Sequence, residues 1–176
     1  MSSPREEHAK RAPRLLRFAL ITVSSSRYSA RLRGEDFSDE SQEEAVKLIR
    51  EGGHAVEVRD LVDDDVNMIR LRLMELLERG GVDVVVFIGG TGFSRRDVTV
   101  EAVKPLLERE VEGFGELFRY LSFREVGAAA FLSRAMMGTV GDKVVMCLPG
   151  SPNAIKVALK NFLPELPHLI YVLRSG

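Results

Sequence analysis

The stretch Asp83-Val84-Val85-Val86-Phe87-Ile88-Gly89-Gly90-Thr91-Gly92 decides how this chain folds. Its first six residues are almost wholly apolar and show no polar alternation. A strand with one wet face alternates, whereas a strand covered on both faces does not. Residues 83–88 therefore read as a central strand of a parallel sheet. The next four residues change character at once. Glycines let successive backbone N–H groups turn toward an anion, and Thr91 adds a hydroxyl donor. The same four residues equally suit a plain tight turn. They are not a Walker A loop, because no Gly-Lys-Ser/Thr follows, and they lack the G-x-G-x-x-G dinucleotide fingerprint.

Working outward, residues 17–23 (RFALITV) and 143–148 (KVVMCL) are two further buried strands, and residues 54–58 form a short one. Residues 24–34 are polar and read as a loop. Residues 38–50 form an amphipathic helix stopped by Gly52 and Gly53. Asp63, Asp64 and Asp65 open a helix that carries Met68, Ile69, Leu73 and Leu76 and closes at Gly80 and Gly81. Helices are also expected over 99–109, 116–123 and 154–162, with Pro164 and Pro167 interrupting the final stretch. Alternating strands and helices imply an open, mostly parallel sheet with helices on both faces, a three-layer α/β/α fold. Ligands in such sheets sit beyond the carboxyl ends of the strands. Three loops lie there: 24–26, 89–92 and 149–152.

With 176 residues, 45% of them hydrophobic and 29% charged, the chain can bury a full core. We expect one domain over 15–176 preceded by a flexible arm over 1–14. Lys+Arg 25 against Asp+Glu 26 excludes a non-specific nucleic-acid coater, which needs a basic excess. The single cysteine, Cys147, excludes a disulfide framework and a cysteine-rich zinc site. His8, His54 and His168 are scattered and give no metal spacing. No stretch approaches the length of a membrane span, and the basic N-terminus lacks the apolar core of a signal peptide. The expected setting is the cytoplasm.

The candidate residues each have a functional and a plainer reading. Arg95 and Arg96 can neutralise phosphates and Asp97 can hold a magnesium ion; Thr99 with Asp97 can equally form a helix start. One or two of Asp63, Asp64 and Asp65 can ligate magnesium, while capping and dipole pairing account for the rest. Ser24, Ser25 and Ser26 offer hydroxyls and amides beyond the first strand. Pro149-Gly150-Ser151-Pro152 joins a strand to a helix N-terminus, which suits an anion or simply a rigid turn. Glu112-Gly113-Phe114-Gly115-Glu116-Leu117-Phe118-Arg119 brackets an aromatic between glycines, more than a core helix requires. Ser133 and Arg134 are a polar pair in an apolar stretch.

Taken in order, these segments resemble the MoaB/MogA family of molybdenum cofactor biosynthesis proteins, the domain also found in gephyrin. The resemblance runs from about Phe18 to the C-terminus. It rests on Gly89-Gly90-Thr91-Gly92 with Arg96-Asp97-Val98-Thr99, on the Glu112–Arg119 block, on Leu132-Ser133-Arg134-Ala135 and on Leu148-Pro149-Gly150-Ser151-Pro152. The Glu-Gly-Phe-Gly-Glu-Leu-Phe-Arg block is most similar to the MoaB branch. The resemblance implies a molybdopterin adenylyltransferase that uses Mg2+ and ATP and releases pyrophosphate. It implies Asp64, Asp97 and Glu116 as catalytic residues, with Asp64 and Asp97 on the metal and Asp63 or Asp65 as offsets for Asp64. It also implies nucleotide or pterin contacts from Ser24, Ser26, Gly89, Gly90, Thr91, Gly92, Arg96, Thr99, Arg119, Ser133, Arg134, Pro149, Gly150, Ser151 and Pro152. Homotrimers or homohexamers and a separate metal-insertion protein are the partners it implies, with no nucleic acid and no membrane.

Two segments depart from the family pattern. Ser24-Ser25-Ser26 has no acid where Ser-Asp-Thr or Ser-Asp-Arg is common, and Asp36-Phe37-Ser38-Asp39 lacks the glycine of Asp-x-Ser-Gly. The first departure carries the alternative reading, a non-catalytic molybdopterin-binding or carrier module.

Overall fold

A computed structural model describes residues 11–175. The expected arm over 1–14 thus lies mostly outside the described residues. Strand β3 (Val84–Ile88) is buried along its whole length, as its unbroken apolar run demands. It lies between β1 (Arg17–Val23) and β6 (Lys143–Leu148) and runs parallel to both, with Val84 opposite Phe18 on one side and Val144 on the other. Adding β2 (Ala55–Val62), β4 (Arg109–Glu110) and β5 (Met136–Val140) gives one sheet in the order β2-β1-β3-β6-β5-β4. β2 is parallel to β1, whereas β5 and β4 are antiparallel additions.

Successive residues of the central strands point to opposite faces, so each strand feeds two cores. Phe18, Leu20, Val84, Val86, Ile88, Val144 and Met146 pack with helices α2 (Glu40–Glu51), α5 (Glu112–Val126), α6 (Pro152–Phe162) and α7 (Leu166–Arg174). Ala19, Ile21, Val85, Phe87, Val145 and Cys147 pack with α3 (Val66–Glu78) and α4 (Thr99–Val103). Each fully buried Leu, Ile, Val or Phe contributes about 1.5–3 kcal/mol, which is why the layers hold. The three-layer, mostly parallel fold is the expected one. Cys147 is a core residue, and burial pushes its thiol far above the usual range.

Three local expectations are corrected, and one strand lies where none was expected. Residues 24–34 are not a loop: Ser25–Leu32 is a helix, α1, capped by Ser24, whose hydroxyl accepts from the Arg27 N–H at 3.4 Å. It buries no residue completely, so it carries no apolar stripe to betray it. The helix expected over 99–109 ends at Val103 and gives way to a 3-10 turn, Lys104–Leu106, because Pro105 has no N–H to donate. β2 runs four residues beyond 58, carried through charged Arg59 and Asp60 by pairing with β1 and by side chains that satisfy both. Residues 136–140 are a strand that no apolar alternation announces.

Candidate functional site

The glycine loop leaves β3 between the ends of its two neighbours. Gly89 donates its N–H to the Leu148 carbonyl at 2.9 Å and adopts φ +110°. A Cβ there would lie 2.4 Å from the Val23 carbonyl oxygen, so only glycine passes between β1 and β6. Buried Thr99, the first residue of α4, holds the loop from behind. Its hydroxyl donates to the Gly89 carbonyl at 2.8 Å and its N–H to the Gly90 carbonyl at 3.0 Å. The N–H groups of Gly90, Thr91 and Gly92 donate to no partner among the described residues. A pinned loop with unspent donors has the chemistry to cradle an anion.

Two carboxylates stand at the two ends of that cradle. The aspartate run sorts itself as one ligand candidate and two structural residues. Asp65 caps α3, accepting from the Met68 N–H at 2.8 Å, and Asp63 accepts from the Asp64 N–H at 2.8 Å. Asp64 turns the other way: its Oδ2 accepts from both the N–H and the hydroxyl of Ser25, at 2.7 and 2.9 Å. Its Oδ1 lies 3.1 Å from where a Cβ on Gly90 would sit. Asp97 faces the loop from the far end. Its Oδ2 accepts from the Ser94 N–H at 2.8 Å and lies 2.9 Å from where a Cβ on Gly92 would sit. Each carboxylate is fixed through one oxygen, and the Oδ1 of each accepts no hydrogen bond from the described residues.

Gly89, Gly90, Thr91, Gly92 and Asp97 line one side of a cleft of about 450 Å³. Ala129, Leu132 and Ser133 face them, and Pro149 and Gly150 complete it. The loops at 89–92 and 149–152 meet here, as their places after β3 and β6 require: a Cβ on Gly150 would lie 3.4 Å from the Gly89 Cα. The third loop arrives through Ser25, which sequence reasoning passed over in favour of Ser24 and Ser26. Those two hydroxyls bond each other at 3.2 Å. The signal for Ser25 was its place two residues past the end of a strand, parallel to the strand that delivers Asp64.

Several candidates turn out to serve the protein's own backbone. The Ser151 hydroxyl caps α6, accepting from the Ala154 N–H at 3.2 Å, with Pro152 as the first helical residue. Arg119 donates to the Ser133 carbonyl at 3.5 Å, and the Ser133 hydroxyl accepts from the Ala135 N–H at 3.3 Å. Arg134 donates to the carbonyls of Asp97 at 3.0 Å and Thr91 at 3.4 Å and pairs with Glu101. Its guanidinium holds Glu101 below the ordinary carboxylate range. Arg95 and Arg96 are exposed beside Asp97 and keep their side chains free of described partners. Neither Glu116, which is exposed on α5, nor Asp64 is among the residues that line this cleft; Asp64 approaches the loop at Gly90.

The geometry has clear counterparts. Residues 19–168 match the family model described as "Probable molybdopterin binding domain". The chain is 43% identical to molybdenum cofactor biosynthesis protein B of Bacillus anthracis over 169 residues, covering 95% of this chain and 96% of the relative. It is 42% identical to a probable molybdopterin adenylyltransferase of Methanocaldococcus jannaschii over 161 residues, covering 92% and 96%. A crystal structure of a molybdenum cofactor biosynthesis protein B superimposes with a TM-score of 0.85 at 41% identity, covering 94% of this chain and 99% of the other.

Proposed function

Because this chain belongs to the molybdopterin-binding family of molybdenum cofactor biosynthesis proteins, we propose that it transfers AMP from ATP to the terminal phosphate of molybdopterin. A phosphate oxygen of molybdopterin bonds to the α-phosphorus of ATP, the bond from that phosphorus to the β-phosphate oxygen breaks, and pyrophosphate leaves. The nucleophile is already ionised near neutral pH, so no histidine base is required. Two anions must be brought together, and the chain's task is alignment and charge compensation.

The observation that carries this reading is the pair Asp64 and Asp97 at the two ends of a loop with three unspent N–H donors. The amides of Gly90, Thr91 and Gly92 receive phosphate oxygens, and Arg96 at the rim meets those that remain exposed. The two free carboxylate oxygens suit a hard divalent cation. Magnesium takes one or two protein carboxylates and fills its shell with phosphate oxygens and water. Asp64 and Asp97 would hold Mg2+, whose charge would offset that of the phosphates.

We read 15–176 as the working domain and the reaction as cytoplasmic, where ATP is available; no described helix is long and apolar enough to cross a membrane. Exposed Leu117 and Val172 line an apolar hollow of about 410 Å³ formed by α5, α6, α7 and β5, and exposed Tyr120 and Phe123 lie further along α5; this apolar surface supports self-association, which we read as a homotrimer or homohexamer. A separate metal-insertion protein would take the product. Purified protein given magnesium, ATP and molybdopterin should release pyrophosphate in step with adenylylated product. Binding of molybdopterin without pyrophosphate release would overturn the transferase reading in favour of a carrier.

A further inference from the structure

Two walls form the cleft, and the chain joins them through one side chain. The glycine loop with Asp97 is one wall; residues 129–133, at the end of the 3-10 segment Gly127–Leu132, are the other. Arg134 follows directly on the second wall and reaches back to the first. Its Nε donates to the Thr91 carbonyl and its Nη2 to the Asp97 carbonyl, across gaps of 43 and 37 residues in sequence. Its Nη1 pairs with Glu101 on α4, the helix whose first residue, Thr99, pins Gly89 and Gly90. The guanidinium also covers the ring of Phe93, 5.2 Å from its centroid, although Phe93 is otherwise 69% exposed.

We propose that Arg134 is a positioning residue of the adenylyl-transfer site: it sets the width of the cleft and the orientation of residues 91–97 through their carbonyls, without touching phosphate. The proposal rests on the transferase reading for its consequence in catalysis, but its structural content stands apart from it. Three features argue for it. Four contacts to protein occupy four of the five N–H groups of Arg134, since Nη2 also reaches Glu101 at 3.3 Å, leaving no pair for a bidentate phosphate contact. The carbonyls it binds belong to Thr91, within the glycine loop, and to Asp97 itself, so it holds both ends of the turn in which Ser94 donates its N–H to the Asp97 carboxylate and Asp97 donates its N–H to the Ser94 carbonyl. Residues 92–97 bury no side chain and Val98 is only partly buried against the core, so hydrogen bonds more than packing fix the loop. A planar, rigid guanidinium suits two carbonyls and a carboxylate at once, and a lysine ammonium does not reproduce that fork.

The test uses the full-length protein and two variants, Arg134→Gln and Glu101→Gln, first without any ligand. Hydrogen exchange should quicken at the hydrogen-bonded amides of Ser94, Arg96, Asp97 and Thr99 by about tenfold or more in Arg134→Gln and by less in Glu101→Gln, with 84–88 as protected as in the wild type. Unchanged exchange at those four amides overturns the proposal. Steady-state turnover and calorimetric Mg-ATP binding supply the second readout. Positioning predicts that Arg134→Gln lowers kcat by about tenfold or more while the ATP dissociation constant changes by less than about threefold. Normal kcat with lost ATP affinity would make Arg134 a phosphate contact and overturn the proposal. Should Arg134→Gln fail to fold, Glu101→Gln, which keeps the arginine, decides by the same exchange measurement. Should the wild type release no pyrophosphate, the transferase reading fails, and ligand-free exchange still decides whether Arg134 holds the loop.

Discussion

Ser25 gives both its backbone N–H and its hydroxyl to a single oxygen of Asp64, at 2.7 and 2.9 Å. The carboxylate is thereby moored at the N-terminus of α1, where the helix dipole favours negative charge, and its other oxygen is turned toward Gly90. Ser25→Ala keeps the amide and removes the hydroxyl. A hydrogen bond to a charged group is worth about 1.5–3 kcal/mol, so pyrophosphate release should slow by about tenfold or more. Turnover equal to wild type would show that the amide alone suffices.

Asp64 and Asp65, adjacent in sequence, should respond to substitution in opposite ways. Asp64→Asn should lower transfer by about 10²-fold or more and leave the melting temperature nearly unchanged. Asp65→Ala removes the α3 cap and should cost about 1 kcal/mol of stability with little effect on transfer. Parallel kinetics and thermal melts of both variants check this. An inactive Asp65→Ala beside an active Asp64→Asn would move the site by one residue.

Gly89→Ala should be among the most damaging substitutions in the chain. The new Cβ would meet the Val23 carbonyl oxygen at 2.4 Å, on backbone held at φ +110°. Strain and overpacking together should cost about 3 kcal/mol or more. Gly80→Ala, where a Cβ meets nothing within 4 Å and φ is not positive, is the control and should change stability by about 1 kcal/mol at most. Equal denaturant midpoints for the two variants would contradict the packing at the head of the loop.

Arg95 and Arg96 are exposed at the rim with no described partner, so their charge is available to phosphate. Changing both to glutamine should weaken Mg-ATP binding by about tenfold, or 1.4 kcal/mol, and leave the fold stable. Calorimetry measures it. A pair of ordinary surface arginines would change stability by no more than about 0.5 kcal/mol and leave nucleotide affinity untouched.

His54 should make stability fall on mild acidification. Burial lowers its pKa below the ordinary 6.5, and its Nδ1 accepts from the Leu16 N–H at 3.2 Å, which only the neutral ring can do. The unfolded chain therefore binds the proton more readily. The stabilising contribution is complete above about pH 6.5 and is lost as pH falls through the lower, folded value. His54→Asn offers a similar acceptor and cannot titrate. Melting temperatures from pH 8 to pH 5 should fall further for the wild type than for this variant, and identical curves would remove His54 from the pH response.

Much of the scaffold was legible because burial writes itself into composition. Residues 84–88 and 144–148 are apolar throughout since both faces of the sheet are covered, and the glycine loop, the Pro-Gly-Ser-Pro turn and the aspartate run stand at strand ends where the fold collects ligands. Asp65 as a cap follows from local geometry at one helix start, whereas Asp64 was singled out only by the family resemblance. What stayed hidden was decided by contacts remote in sequence. Helix α1 buries nothing completely, so no apolar period marks it, and Ser25 gained its role only when parallel pairing of β1 and β2 set it beside Asp64, 39 residues away. Arg134 reads equally well as a phosphate ligand until folding brings the Thr91 and Asp97 carbonyls within its reach. Glu116 lies in a block that invites a catalytic role, yet α5 turns its side chain outward to solvent. A side chain's chemistry belongs to the sequence; its partner is set by tertiary packing, because hydrogen bonds and ion pairs act over a few ångströms that only the folded chain defines.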